Sequence, residues 1–199
     1  MKILSCNFTT GGTRQFVLAI TTMHVIDTRA QGKSFKKLPI PLWKNWKQFE
    51  EKEYSIQYPL TWILNKPEDK RGFVLFSQSD ESQEPFRENI NLSVQDLTGR
   101  LIDLDKYVEL SEKQIHDVLT HVEIIESERF FSDGNEFHKL NYTGVTNGYK
   151  LEFMQYYWVK NNNAYVLTLT CKEKDFEKHR KTAEKIMDSF RLLDNADSK

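Results

Sequence analysis

The sequence predicts an α+β fold, an α/β/α sandwich built around a central, mostly antiparallel sheet. Three observations carry that expectation. Four β-rich runs, Val122–Phe131, Glu136–Thr143, Tyr149–Lys160 and Ala164–Cys171, follow one another with only hairpin-turn residues between them. Two other stretches switch to the helical period. The meander strands are apolar on both faces, so each face needs a covering layer.

The elements read as follows along the chain. Phe16–Ile26 is a short apolar run behind Lys2 and Arg14, followed by Ala30–Gln31, a plausible cleavage point. A basic start, an apolar stretch and a small residue describe a secretory leader over residues 1–30. His24 and two threonines dilute the run, so an ordinary unstructured or weakly helical N-terminus is the competing reading. Cys6 lacks the preceding apolar stretch that a lipoprotein site needs. Residues 33–52 carry six lysines against Glu50 and Glu51, and Pro39 and Pro41 interrupt any early helix. A linker over 31–45 is expected, with Trp43, Trp46 and Phe49 as an apolar edge leading into a domain over 46–193.

Tyr54–Tyr58 alternates and stops at Pro59, and Phe73–Phe76 and Ile90–Val94 are the next strand candidates. Residues 77–89 between the latter two are polar, carry Pro85 and read as a loop. From Asp103 to Leu119 the residues Leu104, Tyr107, Val108, Ser111, Ile115, Val118 and Leu119 recur at helical spacing, with Asp103 as N-cap. Asp133–Gly134, Asn147–Gly148 and Asn161–Asn163 then separate the four meander strands. Along Leu151–Val159, Leu151, Phe153 and Tyr157 point one way and Met154, Tyr156 and Trp158 the other. Glu173–Phe190 returns to the helical period with Phe176, Ala183, Ile186, Met187 and Phe190 on one side. Residues 194–199 form a polar tail.

Composition excludes several classes. The 199 residues hold 28 Lys+Arg against 29 Asp+Glu, a net charge of −1, which removes the whole-molecule electrostatic case for nucleic acid. No run of about 18 apolar residues exists, so no helical membrane span is expected. Two cysteines give no disulfide framework, and Cys171 lies in an apolar alternating run where a free thiol is packed rather than reactive. No phosphate loop, nucleophile elbow, zinc helix motif or Cys-x-x-Cys pair occurs. Glu112/His116 and Asp175/His179 have i,i+4 spacing and could each hold two corners of a metal site, although a solvated helix face explains both. His138 alternates with apolar neighbours and reads as an outward or edge residue. Asp133–Glu136 resembles a calcium-loop fragment but lacks the ligand spacing, so a hairpin is expected. No catalytic residue, cofactor or metal ligand is therefore assigned.

Charge and aromatics are the two features left for binding. Residues 79–136 hold fifteen acidic side chains against five basic ones, which reads as a solvated face or as a surface for a basic protein partner or divalent cations. The aromatics Trp43, Trp46, Tyr156 and Trp158 are the candidate partner-binding residues, against the alternative that they simply fill the core.

Several segments together resemble the PsbP/Mog-like superfamily, in particular its bacterial PsbP-related and DcrB-like members. Tyr54–Ser–Ile–Gln–Tyr–Pro–Leu–Thr–Trp62 is similar to that family's opening "YxIxYPxxW", and Arg87–Glu–Asn–Ile–Asn–Leu–Ser–Val94 to its "REN-x-x-V" strand. Tyr142–Gly144, Gln155–Tyr156, Tyr165–Thr170 and Ile186–Phe190 follow in the family's order, from about residue 46 to 193. The resemblance implies an α/β/α sandwich and no enzymatic activity. Members bind proteins: PsbP supports the oxygen-evolving complex of photosystem II, Mog-type proteins bind the GTPase Ran, and some bacterial relatives are chaperones for hydrophobic helices of secreted effectors. Others are envelope proteins. The matched motifs are core and turn residues, so no binding site carries over, and no thylakoid transit peptide points to photosynthesis. The function expected is a non-catalytic accessory or binding domain with a protein partner, periplasmic or secreted if the leader is cleaved. The alternative is a cytoplasmic chaperone or adaptor for hydrophobic segments, and a metal-dependent enzyme using the helical carboxylate–His pairs is a distant third. Monomer or dimer is left open.

Overall fold

The structure is a computed structural model and describes residues 43–67, 71–78 and 86–193, together with the backbone of two short strands near the N-terminus. The leader with its cleavage point, Cys6, His24, most of the linker, loop residues 79–85 and the tail lie outside the described residues. The two short strands, β1 (Thr9–Thr10) and β2 (Thr13–Arg14), pair with each other. The domain then runs through β3 (Trp46–Glu50), β4 (Tyr54–Pro59), β5 (Ile63–Asn65), β6 (Gly72–Phe76) and β7 (Asn89–Asp96). Helix α1 (Leu104–Val118) leads into the meander β8 (Thr120–Ser132), β9 (Asn135–Thr146), β10 (Tyr149–Lys160) and β11 (Asn163–Lys172). A 3-10 turn, Glu173–Asp175, opens α2 (Phe176–Asp188), and β12 (Arg191–Leu192) closes the chain's described part.

Seven strands form the central sheet in the order β5-β6-β7-β11-β10-β9-β8, every pair antiparallel. The three meander turns fold as their residues dictate. Asp133–Gly134, Asn147–Gly148 and Asn161–Asn162 all have positive φ at both central positions, the backbone of a two-residue hairpin turn whose twist matches the strands. Tyr54–Pro59 does not enter this sheet. It pairs with β3 on one side and β12 on the other, making a separate three-stranded sheet. Neither β3, β5 nor β12 has the alternation that would mark it as a strand by sequence. Trp46–Glu50, expected only as an apolar edge leading into the domain, is a paired strand.

The sheet divides the interior into two cores. On one face α1 lays Leu104, Tyr107, Val108 and Ile115 over Leu140, Tyr142, Leu151, Phe153, Tyr157 and Val166. Asp103 caps α1, its carboxylate accepting from Lys106 N at 2.8 Å. On the other face α2 and the three-stranded sheet bury Tyr54, Ile56, Phe73, Ile90, Met154, Tyr156, Trp158, Leu167, Ile186 and Phe190. The α+β sandwich and the two-faced alternation of β10 are as expected, with the second cover shared between a helix and a small sheet. Within the central sheet, Gly72 on β6 permits one close approach to β7. At φ +144°, a Cβ there would stand 2.1 Å from the Leu92 carbonyl oxygen.

Candidate functional site

A transverse row of aromatics crosses the sheet on its α2 face. Phe130 on β8 pairs in register with Phe137 on β9, and the Phe137 ring stacks on Trp158 of β10 at 5.3 Å. Trp158 in turn meets Phe190 at 4.8 Å and pairs in register with Tyr165. The row runs from the edge strand into the core: Phe130 is 36% exposed and Trp158 6%. Where α2 ends, it leaves part of this row uncovered, and a cleft of about 120 Å³ opens there. Phe137, Tyr156, Trp158, Met187 and Phe190 are among its apolar lining.

Polar groups close the rim. Tyr156 Oη donates to Asp188 Oδ1 at 3.0 Å, and burial holds the Asp188 carboxyl above the usual carboxylate range. Burial and the adjacent Asp188 push the Tyr156 phenol upward in turn, so it stays protonated and donating. Arg191 bridges two elements. Its Nε lies 2.9 Å from Asp133 Oδ2 on the β8–β9 turn, and its guanidinium donates to the Asp188 and Phe190 carbonyls at 2.6 and 2.8 Å. The cleft is thus an aromatic floor between an Asp188–Tyr156 wall and an Asp133–Arg191 latch. Pockets for free small molecules usually span about 300–1,000 Å³, so this one fits a single inserted side chain.

Of the aromatics singled out in the sequence, Tyr156 and Trp158 come together in the cleft lining. Trp43 and Trp46 do not line it. They contact each other edge-on at 4.7 Å at the entry to β3, with Trp43 exposed and Trp46 packed against the core. Asp133, Asp188 and Arg191 carried no sequence signal for this role, because they meet only through folding across more than fifty residues of chain.

A second polar cluster lies under α1. His138 is buried there, not outward, because α1 covers the face of β9 that carries it. Its Nε2 lies 3.0 Å from Ser127 Oγ, and that hydroxyl donates its proton to Glu112 Oε1 at 3.0 Å. The order Glu112–Ser127–His138 puts the hydroxyl between base and acid. A hydrolytic relay needs the acid on the other ring nitrogen, and among the described residues His138 Nδ1 has no partner. The cluster is therefore not arranged for nucleophilic catalysis. The Glu112/His116 spacing leads to this serine contact instead, and His179 Nε2 stands 3.9 Å from Glu88 Oε2. Among the described residues no group of three or more His, Cys, Asp or Glu side chains is placed to hold a metal. Cys171 is fully buried, and burial reinforced by nearby carboxylates pushes its thiol up, which keeps it unreactive.

The acidic stretch of the sequence becomes one flank. From Asp103 to Glu136 ten carboxylates stand against Lys106, Lys113 and Arg129, and this span is α1 followed by β8, the outermost strand. No described helix is long and apolar enough to cross a membrane.

An antiparallel sheet covered on both faces, with a side-chain-sized cleft and an acidic edge, defines a domain of the α+β class. The family model described as PsbP matches residues 44–192, and the chain belongs to the PsbP family. No curated protein matches it in sequence. Among solved structures it is similar to the cyanobacterial PsbP, CyanoP, of Synechocystis sp. PCC 6803, at a TM-score of 0.57 and 13% identity over 75% of this chain and 93% of that one. It is similar also to LpqN of Mycobacterium tuberculosis, a protein involved in cell envelope biogenesis, with TM-score 0.55, 12% identity and coverage of 76% and 93%. A Pseudomonas aeruginosa protein of unknown function, PA94, gives TM-score 0.53, 14% identity and coverage of 72% and 94%. At these identities the likeness is one of fold.

Proposed function

We propose that this chain is a non-catalytic accessory domain, exported to the cell envelope, that binds a protein partner by taking one of its side chains into the cleft at the end of α2. The observation that carries the reading is the cleft itself: an aromatic floor of Phe137, Tyr156 and Trp158 beneath the Asp133–Arg191 pair, of a volume suited to a side chain. Export is supported by the apolar run Phe16–Ile26 ahead of Ala30–Gln31, and by the part that LpqN plays in cell envelope biogenesis. The domain is taken to run over 46–193, behind a leader over 1–30 and a linker over 31–45.

A photo-reactive residue in place of Asn135, on the rim, tests the binding reading. A specific protein adduct that the Trp158→Ala variant loses supports it, and adducts no different from those of a probe at Lys113 on α1 overturn it. Mass determination of the mature N-terminus tests export, since an intact Met1 on the cell-associated protein would sink it. A second reading, a cytoplasmic chaperone for hydrophobic segments, draws on Ile124, Ile125 and Phe131 exposed on β8. It predicts that intact Met1 together with binding of isolated apolar helices.

A further inference from the structure

We infer that the regular half of β8, Glu126–Ser132, receives an extended segment of a partner protein as an added strand, with basic side chains opposite Glu126 and Glu128 and apolar ones opposite Phe130 and Phe131. β8 is the last strand of the central sheet, and among the described residues nothing pairs with its outer side. Such an edge offers unpaired backbone donors and acceptors, and an added strand satisfies them.

The first half of β8 is closed to this. Its register with β9 slips between Thr120 and Glu123 and again between Ile124 and Glu126, and bulges twist an edge away from pairing. From Glu126 to Ser132 the register runs unbroken against Asn141 to Asn135. Side chains there alternate by face. Glu126, Glu128 and Phe130 lie on the α2 face, because Phe130 pairs with Phe137 at the rim of the cleft, and Ser127, Arg129 and Phe131 lie on the α1 face.

Charge selects the occupant. A second copy of the chain is a poor fit, because every antiparallel self-pairing centred between 126 and 129 sets like charges directly opposite: Glu126 on Glu126, Glu126 on Glu128, Glu128 on Glu128 or Arg129 on Arg129. Such pairs destabilise a sheet. On the β9 side one lysine serves both carboxylates. Lys139 pairs with Glu126 at 3.0 Å and is the cross-strand partner of Glu128. The α2 face of this edge therefore keeps an excess of negative charge. Phe131 is 74% exposed and Phe130 adjoins the cleft, so an incoming strand finds apolar surface at the turn end of β8. A segment that alternates lysine or arginine with small residues and ends in apolar ones matches both.

This inference goes beyond the cleft reading and is tested apart from it. The full chain is titrated at low salt with a labelled, acetylated Thr-Val-Phe-Thr-Lys-Thr-Lys peptide and with its glutamate counterpart, while amide exchange is followed along β8. The expected result is binding of the lysine peptide alone, with slowed exchange confined to residues 126–132. Glu128→Lys weakens it about fivefold, the scale of one lost cross-strand charge pair. Glu109→Lys, which makes the same charge change on α1, leaves it nearly unchanged. No binding, equal binding of both peptides or equal weakening by the two variants overturns the proposal. So does full protection of these amides in the chain alone, which would mean that its own segment or a second copy already covers the edge. If the peptide fails while the Asn135 probe still captures a partner, the added strand is refuted and the cleft stands.

Discussion

Burial disfavours the charged forms of both the Asp188 carboxyl and the His138 imidazole, and the pH consequences run in opposite directions. Burial raises the Asp188 pKa above its ordinary 3.8, so the folded chain holds that proton more tightly than the unfolded one. Stability then falls as pH rises from about 4 through the raised value, and is flat above it. Asp188→Asn keeps an oxygen to accept from Tyr156 and removes the buried charge. Its melting temperature should therefore exceed that of the parent at pH 7, with the gap closing toward pH 4. For His138, burial and then the Arg129 charge push the imidazole below its ordinary 6.5. The stability linked to the neutral ring is complete above pH 6.5 and is lost as pH falls toward the lowered value. Melting curves between pH 7 and 5 should show that loss, and His138→Gln should show less of it while still meeting Ser127. A parent and variant with the same slope would place the titrating group elsewhere.

At the scale of elements, α2 is fastened to the small sheet by one hydroxyl. Ser189 Oγ accepts from Gln57 N at 2.8 Å and donates to Ile186 O at 2.6 Å, with Gln57 O a further acceptor at 3.1 Å. Ser189→Ala would leave the Gln57 amide buried and unpaired, a loss of roughly 1–3 kcal/mol. Urea titration should show it as a lowered midpoint at unchanged slope. A loss under about 0.5 kcal/mol would mean that water replaces the hydroxyl. The same comparison of local and distant determinants explains which elements could be read from the sequence. The meander was legible because its turn residues, from Asp133–Gly134 to Asn161–Asn162, demand positive φ by themselves. α1 was legible through its N-cap and apolar period. β12 is two residues long and exists because β4 is there to pair with, and β3 mixes Lys47, Gln48 and Glu50 among its apolar residues. The site divides in the same way. Tyr156 and Trp158 stand out as aromatics, whereas Asp133, Asp188 and Arg191 acquire a role only where the β8–β9 turn meets the end of α2. His138 was misread for a related reason, since nothing local says which face of β9 a helix will cover.

At the scale of the whole molecule, two cores share one sheet, and that sets how stability should be distributed. Ile115 belongs to the α1 core and Ile186 to the α2 core, and both are fully buried. Each helix packs on its own face, so the two side chains lie on opposite sides of the sheet with no shared neighbours among the side chains of either core. Strands β10 and β11 nevertheless contribute to both cores, Phe153 and Val166 to one and Met154 and Leu167 to the other. Losing either core removes the packing on one side of every central strand, so neither layer can unfold while the sheet stays intact. Chemical unfolding should therefore be a single transition by fluorescence and by far-UV circular dichroism alike. Ile115→Val and Ile186→Val should each cost about 0.5–1.5 kcal/mol, since each deletes one buried methylene. Because the two sites do not touch, the double variant should lose their sum to within about 0.5 kcal/mol. Two separable transitions, or a double loss well short of the sum, would show that one layer can come away from a sheet held by the other.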